Sequence, residues 1–295
     1  MCLLDTLIIM EILTEDAMTL AEGLRNYRIQ LALLLPLFVL LYYNIVPMMV
    51  SQWYDDPNYS HGFIVPVIAG YFLYERREEL FKAEVSPANA GLLIIIFGLL
   101  QLCVGYLAFE LYTMRSSFIV ILAGMILYFF GSAVFRIMLL PVLYLFFMVP
   151  LPYIVYDSVA FPLKQFVAKY SVAILQLLGV VIIREGNVLL LPETTLEVAD
   201  ACSGIRSLVS LLALATAFAV FSQKSTIKRV IMIISAIPIA IFTNGLRVIG
   251  TGILAQYWGS KAAEGFFHEF AGLAVFAVAL LMLAGLGTIM SKVGK

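Results

Sequence analysis

Apolar runs long enough to cross a bilayer follow one another along almost the whole chain. They fall at about 29–50, 60–75, 90–108, 116–132, 134–150, 158–183, 203–221, 229–250 and 265–290. In lipid every backbone polar group must be satisfied within the structure, so runs of this kind fold as α-helices. The expected fold is an all-α polytopic membrane protein. Composition agrees: 63% of residues are hydrophobic and 13% charged, against about a quarter charged in a soluble domain. No internal repeat or linker divides the chain. Residues 29–290 are therefore expected to form a single transmembrane domain, with a cytoplasmic tail or helix at 1–28 and a cytoplasmic tail at 291–295. Glu11, Glu15, Asp16 and Glu22 precede the first long run. A secretory signal starts basic, so 1–28 is not read as one.

The second run is short, and the sixth carries Lys164 and Lys169, so not all nine need cross. Lys and Arg collect on the cytoplasmic side of membrane proteins. With the N-terminus inside and 158–183 not crossing, the inside holds Arg25, Arg28, Arg76, Arg77, Lys82, Arg136, Lys224, Lys228, Arg229, Lys292 and Lys295. The outside holds Arg115, Lys164, Lys169, Arg184 and Lys261, and Arg206 and Arg247 lie in spans. If 158–183 crossed, the Lys224–Arg229 loop and the C-terminal lysines would move outside. Charge bias therefore predicts about eight transmembrane helices with both termini cytoplasmic. The segment 158–183 becomes an outer interfacial or re-entrant helix. Residues 186–199 hold two short β-prone stretches around Pro-Glu-Thr-Thr, which predicts a short extracytoplasmic β-hairpin ahead of Cys202.

Three residues stand out against this apolar background. Cys202 lies in Glu197-Val-Ala-Asp-Ala-Cys-Ser-Gly-Ile-Arg206, where a polar segment becomes an apolar one. Most lone cysteines are small buried hydrophobes. Here the first turn of a helix and Arg206, one turn further on, both favour a thiolate. Arg247 lies in Thr243-Asn-Gly-Leu-Arg. Its plain alternative is an interfacial anchor, but Asn244 on the same face extends it into a polar patch. As a functional group it is a fixed cationic donor for an oxyanion. His268, in Gly265-Phe-Phe-His-Glu, begins a helix whose dipole favours the neutral imidazole, the form that accepts a proton from a thiol. The alternative is a histidine held by a structural hydrogen bond. The predicted topology brings Cys202, Arg247, His268 and His61 to one outer interface. His61 sits in Asp55-Asp-Pro-Asn-Tyr-Ser-His-Gly62, a turn-forming context, and is assigned a structural or substrate-contacting role.

Cofactors are not called for. Cys2, Cys103 and Cys202 make neither a disulfide framework nor a zinc pattern, so no metal is expected. Cys2 and Cys103 lack polar surroundings and are read as ordinary side chains. The net charge of −1 makes no case for nucleic acid, and none is expected as a partner.

The run Ala-Cys-Ser-Gly-Ile-Arg (201–206), then Asn-Gly-Leu-Arg (244–247) and then His268 resembles the exosortases and archaeosortases. Asp55 and Tyr-Ser-His-Gly (59–62) are similar to the first outer loop of that family. The resemblance covers roughly residues 30–290. It implies a multi-pass cysteine protease or transpeptidase of a bacterial inner membrane, or of an archaeal plasma membrane, with its active site facing the periplasm or exterior. Its substrates would be membrane-anchored proteins carrying a PEP-CTERM-type C-terminal sorting signal, and membrane lipids would surround it. Carried over, Cys202 is the nucleophile, Arg247 the polarising arginine and His268 the acid/base. Ser203, Arg206, Asn244 and His61 are supporting or substrate-binding. Some exosortases carry a further C-terminal periplasmic domain, which this chain, stopping at Lys295, is expected to lack.

A second reading stands beside it. A non-enzymatic transporter, or an assembly subunit of polysaccharide or surface-protein export, would use Arg206, Arg247 and His268 to hold an anionic substrate. Polar groups gathered at one interface, rather than along a midplane pathway, favour the enzyme.

Overall fold

Glycine spacing decides how the first helices pack. The computed structural model describes residues 18–192, 195–197, 205–259 and 266–292, the side chains at 196–197, 205–207 and 266–269 excepted. In α6 (Ala90–Ala108), Gly91, Gly98 and Gly105 recur on one buried face. A Cβ at Gly98 would come within 2.6 Å of Ile121 Cγ1, and one at Gly105 within 2.8 Å of the Met114 backbone nitrogen. No larger residue permits this approach, which is how small residues bring membrane helices together. The partner numbers fall as the glycine numbers rise, so α6 runs antiparallel to the start of α7 (Leu111–Tyr144).

Helix α7 is two helical limbs joined at one residue outside the helical region. With the 3-10 turn Leu145–Met148 it forms a 38-residue apolar stretch, which as one straight helix would be ~57 Å long. Its two ends nevertheless meet neighbouring residues. Arg115 Nη1 donates to Gln52 Oε1 at 2.6 Å, and Trp53 Nε1 donates to the Met148 carbonyl at 2.9 Å. Gln52 and Trp53 both belong to α3 (Ile45–Asp55). The chain therefore doubles back, and it does so at Gly131, whose φ of 82° and ψ of −174° lie outside the helical region. A Cβ there would collide with the Ser86 carbonyl, so only glycine fits. The limbs 111–130 and 132–144 correspond to the separate apolar runs at 116–132 and 134–150.

The second limb packs on α4 (Ile64–Glu75). The Phe72 and Tyr144 rings meet edge to face at 5.1 Å, and Arg76 Nη1 reaches the Ile137 carbonyl at 3.5 Å. Before these, α1 (Leu20–Asn26) carries a capping box from Thr19 and Glu22, and α2 (Arg28–Leu41) follows at a bend of 77°. The short α5 (Arg77–Lys82) joins α4 to α6. These elements make one unit, ending at Pro150.

The second unit begins at Leu151. Helix α8 (Tyr153–Leu177) ends before Gly179, whose φ is +82°. The β-branched run that follows enters β1 (Ile183–Glu185), which pairs antiparallel with β2 (Val188–Leu190), and β2 with β3 (Thr195–Glu197). The stretches read as strands around Pro-Glu-Thr-Thr are β2 and β3. The extra strand β1 lies where the sequence reads as the end of an apolar helix. Gly186, at φ +66°, begins the two-residue turn between β1 and β2. Leu189 is fully buried with Val167, Val172 and Leu175 of α8 and with Val248 and Ala255 of α10 (Thr226–Trp258). Helices α9 (Ile205–Ser222), α10 and α11 (Phe266–Lys292) share a second core. Its centre is Leu211 and Ala215 of α9, Met232 and Ala236 of α10, and Ala279 and Leu283 of α11.

The chain is a mostly helical, polytopic membrane protein. Among the described residues four helices are long and apolar enough to cross a membrane, or five if the bent α1–α2 pair is one span. That reckoning takes the doubled α7 as one. Helix α8, with its two lysines, is not among them.

Candidate active site

A polar interruption in an otherwise apolar helix builds the site. In α10, Thr243 and Asn244 are buried. Thr243 turns its hydroxyl back onto the Ile239 carbonyl at 2.9 Å, the usual refuge of a hydroxyl on an apolar helix. Asn244 lies three residues before Arg247, on the same face. Arg247 itself is half-buried and crosses to α11. A Cβ on Gly272 would lie 3.5 Å from Arg247 Nη2 and 3.7 Å from Cζ. The guanidinium thus lies along the side of α11 left open by that glycine. His268 is one turn earlier on the same face of α11.

The register of the three helices extends this. Gly287 of α11 sits against Met232 of α10 and Phe218 of α9, where a Cβ would come within 2.7 and 2.8 Å of their side chains. Gln223 Nε2 donates to the Gly287 carbonyl at 3.0 Å, and Lys228 Nζ to the Met290 carbonyl at 2.7 Å. Arg247 is as far along α10 from Met232 as Gly272 is along α11 from Gly287. Thirteen residues back along α9 from Phe218 lies its first residue, Ile205, within two residues of that step. One end of the three-helix core therefore gathers the start of α9, the Asn244–Arg247 turn of α10 and the first turns of α11.

Cys202 and Ser203 lie outside the described residues. Arg206 belongs to the first turn of α9 and His268 to the first turn of α11, and the side chains of both are outside the described set. His61 belongs to the first unit, in the 3-10 turn Pro57–Phe63, where its Nε2 donates to the Phe147 carbonyl at 3.1 Å. That bond holds the turn against the 3-10 turn Leu145–Met148. Cys103 is an exposed free thiol on α6. Among the described residues no three His, Cys, Asp or Glu side chains form a metal-binding group.

One residue is placed quite differently from its sequence assignment. Arg115, read as an outer-loop charge, is buried inside the first unit and bonded to Gln52. Around it Gln101 Nε2 donates to Ser116 Oγ at 2.7 Å, and Tyr42 and Ser117 share a 2.6 Å hydrogen bond. Its one sequence signal is a charge at the edge of an apolar run.

The family model for transmembrane exosortases (Exosortase_EpsH) matches residues 53–285, most of the chain and both units. No curated protein and no solved structure matches.

Proposed function

Since the chain belongs to the transmembrane exosortase family, we propose that it is a cysteine protease or transpeptidase acting on C-terminal sorting signals of surface or exported proteins. The substrate's terminal helix docks among the spans and presents its junction at the outer face of the plasma membrane. The Cys202 sulfur attacks the scissile carbonyl carbon, and the Arg247 guanidinium carries the charge that develops on the oxygen. The C–N bond breaks, and His268 passes the thiol proton to the leaving amine. Water or an acceptor amine then takes the acyl group from the Cys202 thioester, releasing the thiol. Arg206 and Asn244 support the site by charge and hydrogen bonding, and Ser203 adjoins the nucleophile. The topology that goes with this reading has eight spans, α8 at the outer interface, and the β1–β3 sheet as an extracytoplasmic flap ahead of Cys202.

The observation that supports it most is the meeting of Arg247 with Gly272, one turn from His268. That pair sits at the end of the core where α9 begins, three residues after Cys202 in the sequence. The test is a Cys202→Ala strain compared with wild type for uncleaved surface-protein precursors, with membrane levels of the enzyme measured in parallel. Precursors should accumulate while the variant protein stays at wild-type abundance. Cleavage that survives in an abundant Cys202→Ala protein would overturn the nucleophile assignment and favour a transporter or export-assembly role.

A further inference from the structure

A cation taken out of water has to be met by an anion or by strong acceptors. Arg115 is 3% exposed. Among the described residues its one hydrogen bond runs from Nη1 to the neutral amide oxygen of Gln52, and its Nε is buried without a partner. The nearest acid in sequence, Glu110, attracts Arg115 through charge, but its hydrogen bonds go elsewhere. Its two carboxylate oxygens accept from the Tyr112 and Thr113 backbone N–H groups at 3.0 and 2.6 Å, as the N-cap of α7. The first unit thus holds a buried guanidinium whose Nε has no hydrogen-bond partner among the described residues.

Arg115 lines a cavity of about 430 Å³. Asn44 is the other polar side chain in its wall, and the remainder is apolar, including Met48, Tyr106, Phe109 and Leu111. Those four are also exposed on the outer surface of the unit: Phe109, held at a left-handed φ of 54°, is 89% exposed, and Met48 53%. The cavity therefore has a cationic floor and an apolar mouth. Its depth follows from the spans that flank it. Ala108 is the last residue of one apolar helix and Leu111 the first of the next, so the mouth opens at headgroup level.

We infer that this cavity is a binding site for the phosphodiester headgroup of an anionic phospholipid. The lipid phosphate pairs with the Arg115 guanidinium in the cavity wall, a planar donor set suited to phosphate oxygens. Its glycerol and upper acyl carbons lie between Met48, Tyr106 and Leu111. A lipid fits better than a peptide because exposed apolar side chains line the mouth at the end of two spans. The site is independent of the proposed acyl transfer.

The test uses the full-length protein, purified and reconstituted in phosphatidylcholine bilayers with and without phosphatidylglycerol, then released for native mass spectrometry. Wild type should retain a discrete phosphatidylglycerol molecule in preference to phosphatidylcholine. Arg115→Gln should weaken that retention about tenfold or more, the scale of a hydrogen bond to a charged group. Met48→Trp, which keeps the cation and narrows the mouth, should also lose the lipid, and this covers the case in which Arg115→Gln does not accumulate. Equal retention of phosphatidylcholine would overturn the proposal. So would unchanged retention in either accumulating variant, displacement of the lipid by inorganic phosphate alone, or a peptide as the bound mass.

Discussion

Gly272 carries no side chain, and the Arg247 guanidinium lies beside the space that one would fill. The contact distance of 3.5 Å is ordinary for a methyl group, so Gly272→Ala should leave the arginine where it is. A longer side chain at that position must displace it. Gly272→Leu is expected to reduce precursor processing to the level of Arg247→Lys, which keeps the charge but loses the planar fork. In both, the three-helix core centred on Leu211, Ala236 and Ala279 is untouched. Pulse-labelled precursor cleavage, measured beside membrane abundance, decides it. Normal cleavage in Gly272→Leu would mean that Arg247 acts from another direction. Residues of this kind were legible in the sequence because polar groups in apolar helices are expensive, which is why Arg247 and His268 stand out. Arg115 was misread for the opposite reason. It borders an apolar run, where a charge ordinarily reaches water, and its burial depends on Gln52, far away in the chain.

At the scale of the element, α7 shows how a helix is started and what its start costs at low pH. Burial opposes the charge on Glu110. Hydrogen bonds from Thr113 and Tyr112 and the nearby Arg115 cation outweigh it and hold the carboxyl below its ordinary value. A carboxyl lowered by folding stabilises the fold above its unfolded value, about 4.3 for a glutamate, and loses that contribution as pH falls through the folded value. Thermal melts of the detergent-solubilised protein should therefore decline as the pH drops below that point. Glu110→Ala should cost about 1 kcal/mol at neutral pH, the usual worth of an N-cap, and should flatten the acid decline. An unchanged acid limb in that variant would remove Glu110 from the account. Elements whose pattern is long and uniform, such as α6 and α10, were readable from apolar length alone. Strand β1 was not, because Val180–Ile183 continues the apolar composition of α8, and the break rests on the positive φ of Gly179.

For the whole molecule, the charge bias yields an expectation that the fold does not itself test. Reporter fusions at Lys224 and Lys292 should read cytoplasmic, and one at Thr194 external. An external signal at Lys224 would move the Arg247 turn to the cytoplasmic face and end the proposed attack from outside. The polytopic helical class was legible because lipid leaves a chain few ways to satisfy its backbone. The number of crossings was harder to read, since length and hydropathy describe segments and not the bends inside them.

Gly131 shows what such a bend controls. A straight helix from Leu111 to Met148 would cross the bilayer once, and a doubled one crosses an even number of times. The difference is one of parity: in the proposed topology every later segment exchanges compartments if the fold-back is lost. In the proposed topology the sidedness of the later segments rests on one backbone torsion, at a residue where the Ser86 carbonyl admits no side chain. In that topology charge bias and this glycine are two separate records of one orientation, the first in the loops and the second in the fold.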